Sequence, residues 1–294
     1  VEAPTLVSVG TLNGSAVGVH FSEPVDKATA ETAGNYLLSS GTVSSATLLA
    51  NNTTVNLVVS SLVGPSFTVT VNNVKDLYGN TIAANAQATG AIPSAPLTAV
   101  DVGEAGFDPL EPGSTFSSAS GSFEVMAGGS DMWGNADHLH FTYAQRTGDF
   151  DLRVRVKSLV AREASTKAGF TVRESLDMDS RNLHAIVMPP DARNIYEAGT
   201  RADTAGATAG WGVLGGANGN IPATFPNSWI RLKRVENIFK AYASTDGQNW
   251  TLYARNTPSP AYPATVFVGL ATTSHNNNTG QTTLAEYTDF GDVP

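Results

Sequence analysis

The sequence predicts an all-β chain of two β-sandwiches, a small one followed by a larger one. Three observations carry this. Runs that alternate apolar and polar residues with period two recur along the whole length. Clusters of Gly, Asn, Asp, Pro and Ser separate them. No stretch of residues 97–294 shows a sustained helical period.

The first segment, 1–92, is a string of short strands. Ala16-Val17-Gly18-Val19-His20-Phe21, Thr54-Val55-Asn56-Leu57-Val58-Val59 and Phe67-Thr68-Val69-Thr70-Val71 alternate. Between them, Ser22 to Asp26 reads as a turn in which Pro24 fixes φ, and Asp76-Leu77-Tyr78-Gly79-Asn80 as another. Residues 93–96 hold Pro93 and Pro96 and read as a stiff linker. The second segment, 97–294, is larger. Lys167 to Ser175 is its central strand, with Ala168, Phe170 and Val172 on one face and Lys167, Thr171 and Arg173 on the other. Phe150 to Val156, Asn182 to Val187, Trp229 to Arg234, Phe239 to Ala243, Val266 to Leu270 and Ala285 to Phe290 are further strands, and Val235-Glu236-Asn237 is a hairpin turn. About a dozen strands in one domain point to a two-sheet jelly roll.

Composition bounds the function. The 294 residues carry Lys+Arg 17 against Asp+Glu 26, a formal net charge of -9, and no cysteine. A thiol nucleophile, a disulfide framework and cysteine-bound zinc are excluded. An acidic chain without a basic run is a poor nucleic-acid binder. No apolar run reaches the ~20 residues that span a bilayer as a helix. Low charge with abundant Gly, Ser, Thr, Asn and Ala suits an extracellular or cell-surface protein. Val1 reads as a cut point. Further domains of a larger parent protein are expected.

Two resemblances sharpen the reading. Val19-His20-Phe21-Ser22-Glu23-Pro24-Val25-Asp26, Asn35-Tyr36 and Val74-Lys75-Asp76-Leu77-Tyr78-Gly79-Asn80 resemble the bacterial Ig-like domain of surface-layer proteins, which implies a spacer or presentation role. In the second segment the carrying motifs are Gly128 to Gly134, Asp137-His138-Leu139-His140-Phe141, Gly148-Asp149-Phe150, Lys167 to Ser175, Trp229-Ile230-Arg231-Leu232, Ser244 to Thr251, and Val268-Gly269-Leu270 with Thr273-Ser274-His275. Together they resemble the concanavalin-like (laminin-G-like) jelly-roll modules related to the yeast regulation-of-enolase protein, found in large secreted bacterial proteins. Relatives are attached to glycosidases and adhesins, so the resemblance implies fold more firmly than function.

The candidate site follows from strand parity. With Leu139, Phe141 and Tyr143 toward the core, His138 and His140 point outward. The same rule sends Arg173, His184, Glu197 and Arg201 outward. Imidazole and guanidinium groups suit sugar hydroxyls and acidic sugar substituents, because planar donors bind two oxygens at once. Trp211, in the Gly206 to Gly219 loop, adds a ring able to stack on a pyranose, whereas Trp133 reads as a core plug. The bland alternative is a solvated face with Arg173 and Arg201 paired to Glu174 or Glu197. A calcium ion joining the terminal strands of the larger domain would use Asp101 and Asp289, drawn from carboxylates that also include Asp131, Asp137 and Asp292. No other cofactor is implied. The Asp246-Gly247 turn with Trp250 resembles a shortened sialidase Asp-box, a structural latch.

The expected function is therefore a non-catalytic carbohydrate-binding module whose partner is an oligosaccharide or polysaccharide, with no nucleic acid and no membrane insertion. The alternatives are a structural or adhesive module without sugar binding and, with least support, a hydrolase using Glu174 and Glu197.

Overall fold

The computed structural model describes residues 2–49, 52–93, 96–103, 113–211, 221–278 and 281–294. Ser94 and Ala95 of the expected linker, and residues 212–219 of the glycine-rich loop after Trp211, lie outside the described residues. The chain divides into two compact units, Val1–Leu97 with Phe116–Phe123, and Thr98–Thr115 with Glu124–Pro294. The linker-based reading assigned 97–294 whole to the second domain. Phe116–Phe123 holds the end of one strand, a turn and the start of the next.

In the smaller unit, strands β1 (Leu6–Gly10), β2 (Ala16–Phe21), β4 (Val43–Leu48) and β5 (Thr54–Val59) form one sheet in the order β1-β2-β5-β4. A second sheet, β3-β6-β7, uses Tyr36–Leu38, Ser66–Val71 and Ala86–Ala91. Val17, Val19, Val55 and Leu57 from one sheet and Tyr36, Phe67, Val69 and Val71 from the other share one core. The Asp76 turn is latched as its chemistry demands, with one carboxylate oxygen accepting from the backbone N–H groups of Tyr78 and Asn80, both at 2.8 Å. After Pro24 a short helix, α1 (Lys27–Ala30), starts where Asp26 caps the Thr29 N–H at 2.9 Å. Four residues are too few to give a sequence period, so the helix escaped the sequence reading.

The strands that follow are β8 (Thr98–Val102), β9 (Ser114–Ala119) and β10 (Ser122–Ala127), the last two divided between the units at Phe116–Phe123, and in the larger unit β11 (Leu139–Thr147), β12 (Phe150–Leu159), β13 (Lys167–Arg173) and β14 (Asn182–Val187). These continue into β15 (Tyr196–Arg201), β16 (Thr208–Gly210), β17 (Ser228–Val235), β18 (Ile238–Ser244), β19 (Thr251–Asn256), β20 (Thr265–Thr273) and β21 (Thr283–Asp292). Two 7-stranded antiparallel sheets result, β16-β15-β14-β13-β20-β11-β8 and β19-β18-β17-β12-β21-β10-β9. This is the two-sheet all-β sandwich expected.

Strand β13 is the middle of its sheet, and all seven of its residues are buried. Its inner face carries Ala168, Phe170 and Val172 toward the opposite sheet. There the Tyr287 hydroxyl of β21 accepts from the Gly169 N–H at 3.1 Å and donates to the Ala271 carbonyl at 3.2 Å. The other face is buried as well. It supports a second apolar cluster in which Met132, Leu176 and Met178 pack onto Leu139, Phe141, Ile186 and Met188. A sheet covered on both sides has no solvated face to offer at its centre, and that decides the fate of the candidate site.

Candidate functional site

Arg173 at the end of β13 and Arg201 at the end of β15 do share a face. Register places Arg173 beside Asn182 and Asn182 beside Arg201, one row across three strands. Over that row lies Asp137. One of its carboxylate oxygens accepts from Arg201 Nη2 at 2.5 Å. The other accepts from Asn182 Nδ2 at 2.8 Å, from Arg201 Nη1 at 3.0 Å and from Arg173 Nη1. Remaining donors are taken by carbonyls, with Arg173 Nη2 on Asp177 at 2.6 Å and Arg201 Nη1 on Ser180 at 3.1 Å and Met178 at 3.2 Å. Arg173, Arg201 and Asp137 are all 0% exposed. A guanidinium taken out of water must have every donor placed, and the segments around Asp137 and Asp177–Ser180 do that placing.

This corrects the expectation of an open arginine face. Arg173 and Arg201 form an internal ion cluster, unavailable to an oligosaccharide in this structure. Their partner is neither of the glutamates considered. Glu174 instead accepts from Arg181 Nη1 at 2.7 Å.

His184 belongs to the same outer face, across from Gly199, where a Cβ would stand 2.3 Å from its Nε2. It is 0% exposed, packs edge-on to Trp133 at 5.9 Å, and neither ring nitrogen has a hydrogen-bond partner among the described residues. Burial pushes its pKa down to about 4, so the ring is neutral at neutral pH. The outward parity was right and the exposure was not. Glu197, on the same face of β15, is half-buried, one of its oxygens is unpartnered among the described residues, and burial raises its pKa. Nearby charges include Lys167, whose Nζ donates to Asp131 at 2.6 Å, and His275, whose Nε2 stands 3.3 Å from the other Asp131 oxygen.

His138 and His140 are corrected more fully. In register, His140 lies beside Thr272 and Ala168, whereas Phe141 lies beside Ala271 and Gly169. Directly paired residues share a side of the sheet, so His140 belongs with Phe170 and the sandwich interior, opposite to Arg173 and His184. There its Nδ1 meets Asp101 at 2.7 Å and its Nε2 meets Thr115 Oγ1 at 3.0 Å. His138, one residue before β11, is buried with its Nδ1 on Ser130 Oγ. The parity argument failed because Leu139 and Phe141 face the second apolar cluster, not the inter-sheet core.

The calcium pair is not assembled. Asp101 is on β8 in one sheet and holds His140, while Asp289 is on β21 in the other, 3.4 Å from Arg155 Nε. No group of three or more metal-ligating side chains occurs among the described residues.

Trp211 is 1% exposed, lies opposite Ala198 and donates its Nε1–H to the His184 carbonyl at 2.9 Å. It is a core residue and presents no stacking platform. Trp133 sits half-buried against His184. The Asp246 turn behaves as the latch expected. One oxygen accepts from the Gln248 and Asn249 N–H groups at 2.8 Å, which holds the carboxyl well below the usual carboxylate range. Trp250 meets Trp229 edge-on at 6.5 Å beneath it.

A pocket of about 310 Å³ opens beside that turn, lined among others by Tyr196, Thr224, Ser244, Thr245, Asn249 and Thr251. Burial lifts the Tyr196 phenol to about 12, so it stays a neutral hydroxyl. Its ring lies 5.7 Å from that of Tyr253, whose buried hydroxyl has no partner among the described residues. Sequence reasoning missed this pocket, because its walls come from strand ends far apart in the chain.

No protein-family model and no curated protein matches the chain. Among solved structures it is similar to a functionally unknown protein from Saccharomyces cerevisiae, at 14% identity and a TM-score of 0.48 over 66% of this chain and 94% of that one. It is also similar to the N-terminal part of the bacterial S-layer protein SbsC, at 13% identity and a TM-score of 0.30 over 86% of this chain. It spans only 44% of that S-layer structure. The exoplasmic/lumenal domain of VIP36, in its Ca2+/Man3GlcNAc-bound form, matches at 10% identity and a TM-score of 0.35 over 62% of this chain and 82% of that one. Glycoside-hydrolase and surface-layer structures are thus among the distant structural neighbours of this all-β chain.

Proposed function

We propose that the larger unit is a non-catalytic carbohydrate-binding module of an extracellular or cell-surface protein, and that the smaller, Ig-like unit presents it. The observation that carries this is the pocket of about 310 Å³ at the ends of β15, β18 and β19. Its size falls in the range of small-ligand sites. Its polar lining is hydroxyls, one amide and a phenol, groups that donate and accept in turn as sugar hydroxyls do, set beside an apolar wall of Ile221, Pro222 and Ala243. Hydrolysis of a glycosidic bond uses two carboxyls roughly 5 to 10 Å apart. The lining residues include no carboxylate. Glu174 is held by Arg181, and Glu197 faces the side of β15 away from Tyr196. These features favour binding over cleavage. Affinity is expected in the micromolar to millimolar range, about -4 to -8 kcal/mol.

A glycan array with the full chain and with Thr251→Trp tests it. Thr251 is an exposed strand residue on the pocket wall, so an indole there fills the space while the strand tolerates it. Loss of array signal in the variant is the expected result. Signal that survives, or a wild-type chain that binds no glycan, returns the reading to a structural or adhesive module. Release of free sugar from a bound polysaccharide would make the protein a hydrolase instead.

A further inference from the structure

We propose that the outer face of the β19-β18-β17-β12-β21 sheet is a second, separate binding surface, and that its ligand is an acidic polysaccharide. Like charges stand directly opposite one another there. Arg153 pairs in register with Arg231, Lys233 with Lys240, and Lys240 with Arg255. Such cross-strand pairs repel and weaken a sheet, so folding alone gives no reason for three of them on one face.

The protein's own carboxylates compensate only part of this charge. Asp151 accepts from Arg231 Nε and Nη2, both at 2.7 Å, and from Lys233 Nζ at 2.8 Å. One carboxylate therefore serves two cations. Arg155 has Asp289 at 3.4 Å. Arg153, Lys240 and Arg255 have no carboxylate partner among the described residues.

The guanidiniums are also held in position. Arg153 and Arg155 lie 5.9 and 5.6 Å from the Trp229 ring, and Arg231 lies 5.4 Å from Tyr242 and 5.7 Å from Trp250. The Gly247 turn keeps Trp229 in place, since a Cβ at that glycine would come within 2.8 Å of the indole. Arg231 and Arg155 spend N–H groups on Asp151 and on Thr288 Oγ1, whereas the ring under Arg153 fixes its plane and leaves its N–H edge to meet an oxyanion in a pair. Across β12 from Arg231, Arg153 has Gly291 as its other neighbour, and nothing lies within 4 Å of where a Cβ there would be. Room is open beside the uncompensated cation.

The spacing identifies the polymer. Cations on adjacent strands are ~4.8 Å apart, and alternate residues on one strand ~6.7 Å. That suits one anionic group per sugar ring. Duplex DNA carries one charge per ~1.7 Å, and its length would run onto a chain of net charge -9. The ligand class is therefore a polymer of uronate or sulfated sugars.

The test titrates the full chain with polygalacturonate, heparin, neutral xylan and single-stranded poly(dT), at low and raised salt. The wild type is compared with an Arg153→Gln/Lys240→Gln variant and with Thr251→Trp. Expected is salt-sensitive binding of polygalacturonate or heparin that falls at least about tenfold in the double variant, one charged hydrogen bond being worth that much. Thr251→Trp should bind these polyanions as wild type does. The double variant should also melt no lower than wild type, because repulsion has been removed. Unchanged polyanion binding in the double variant, equal loss of xylan binding, tighter binding of poly(dT), or a lowered melting temperature would each overturn the proposal. Failure of the pocket reading shows instead in Thr251→Trp alone.

Discussion

Asp137→Asn is the substitution that most directly probes how the larger unit is held together. The carboxylate is 0% exposed and accepts from two guanidiniums and the Asn182 amide. An amide in its place leaves Arg173 and Arg201 buried with only carbonyls for company, and turns one acceptor oxygen into a donor that faces donors. Removing one partner of a buried ion pair costs ~3–5 kcal/mol. For a unit of this size each kcal/mol lowers Tm by ~2–4 °C, so a fall of roughly 6–20 °C is expected. Tryptophan fluorescence reads the right transition, since Trp133, Trp211, Trp229 and Trp250 are the 4 tryptophans of the chain and all belong to the larger unit. Glu174→Gln is the control. Its carboxylate is partly exposed on one arginine and should cost about 1 kcal/mol or less. A fall of under ~2 °C for Asp137→Asn would refute the argument. It would mean that water reaches the cluster and that the arginine face is open after all.

Two further outcomes follow from burial and close approach. His184 has a pKa of about 4 against an ordinary 6.5, so the unfolded chain takes up a proton that the folded chain refuses. That contribution to stability is complete above pH 6.5 and is lost as pH falls toward 4, by roughly 3 kcal/mol. In melts recorded between those pH values His184→Leu should flatten the acid limb, and an unchanged limb would assign it to carboxylates alone. At Gly269 a Cβ would stand 2.0 Å from the Thr142 carbonyl oxygen, so Gly269→Ala must part β11 from β20. A loss of at least ~1–3 kcal/mol in urea unfolding is expected, and a neutral result would show that the two strands separate freely.

Much of the fold was legible because strand alternation is a local property. Asn182 to Val187 and Thr54 to Val59 are strands as read, and the Asp76 and Asp246 turns are latched as their chemistry implies. Parity on β13 was legible too, with Phe170 and Arg173 on opposite faces. What alternation could not report is what lies above a face. Asp137 reaches Arg201 across 64 positions and Arg173 across 36. No local pattern links them, and Asp137 stood among several scattered carboxylates. The same blindness inverted β11, where Leu139 and Phe141 are apolar for a second cluster. An apolar residue declares that it is covered, not by which layer. The outer face of β12 and β17 was visible as the alternations Arg153-Val154-Arg155 and Trp229-Ile230-Arg231. Its meaning needed the register that sets Arg153 against Arg231.

The two sheets handle their outward cations in opposite ways, and the contrast bears on function. On the β13 sheet, two guanidiniums share one carboxylate with the Asn182 amide and donate further to several carbonyls, and segments carrying Met132, Leu176 and Met178 close the surrounding face. Every donor that matters has an internal answer, so a ligand has nothing to add there. On the β17 sheet, Asp151 is kept ionised against the effect of its own burial by the donors of Arg231 and Lys233. It answers only Arg231 and Lys233, and leaves Arg153, Lys240 and Arg255 of the same face without a carboxylate among the described residues. A cation that the fold has already satisfied gains little from an incoming anion and would have to be freed first. One that stands opposite its own kind gains both a hydrogen-bond partner and relief from repulsion. Binding energy is therefore available on the second face, although the arginines of the first face the stronger sequence motif.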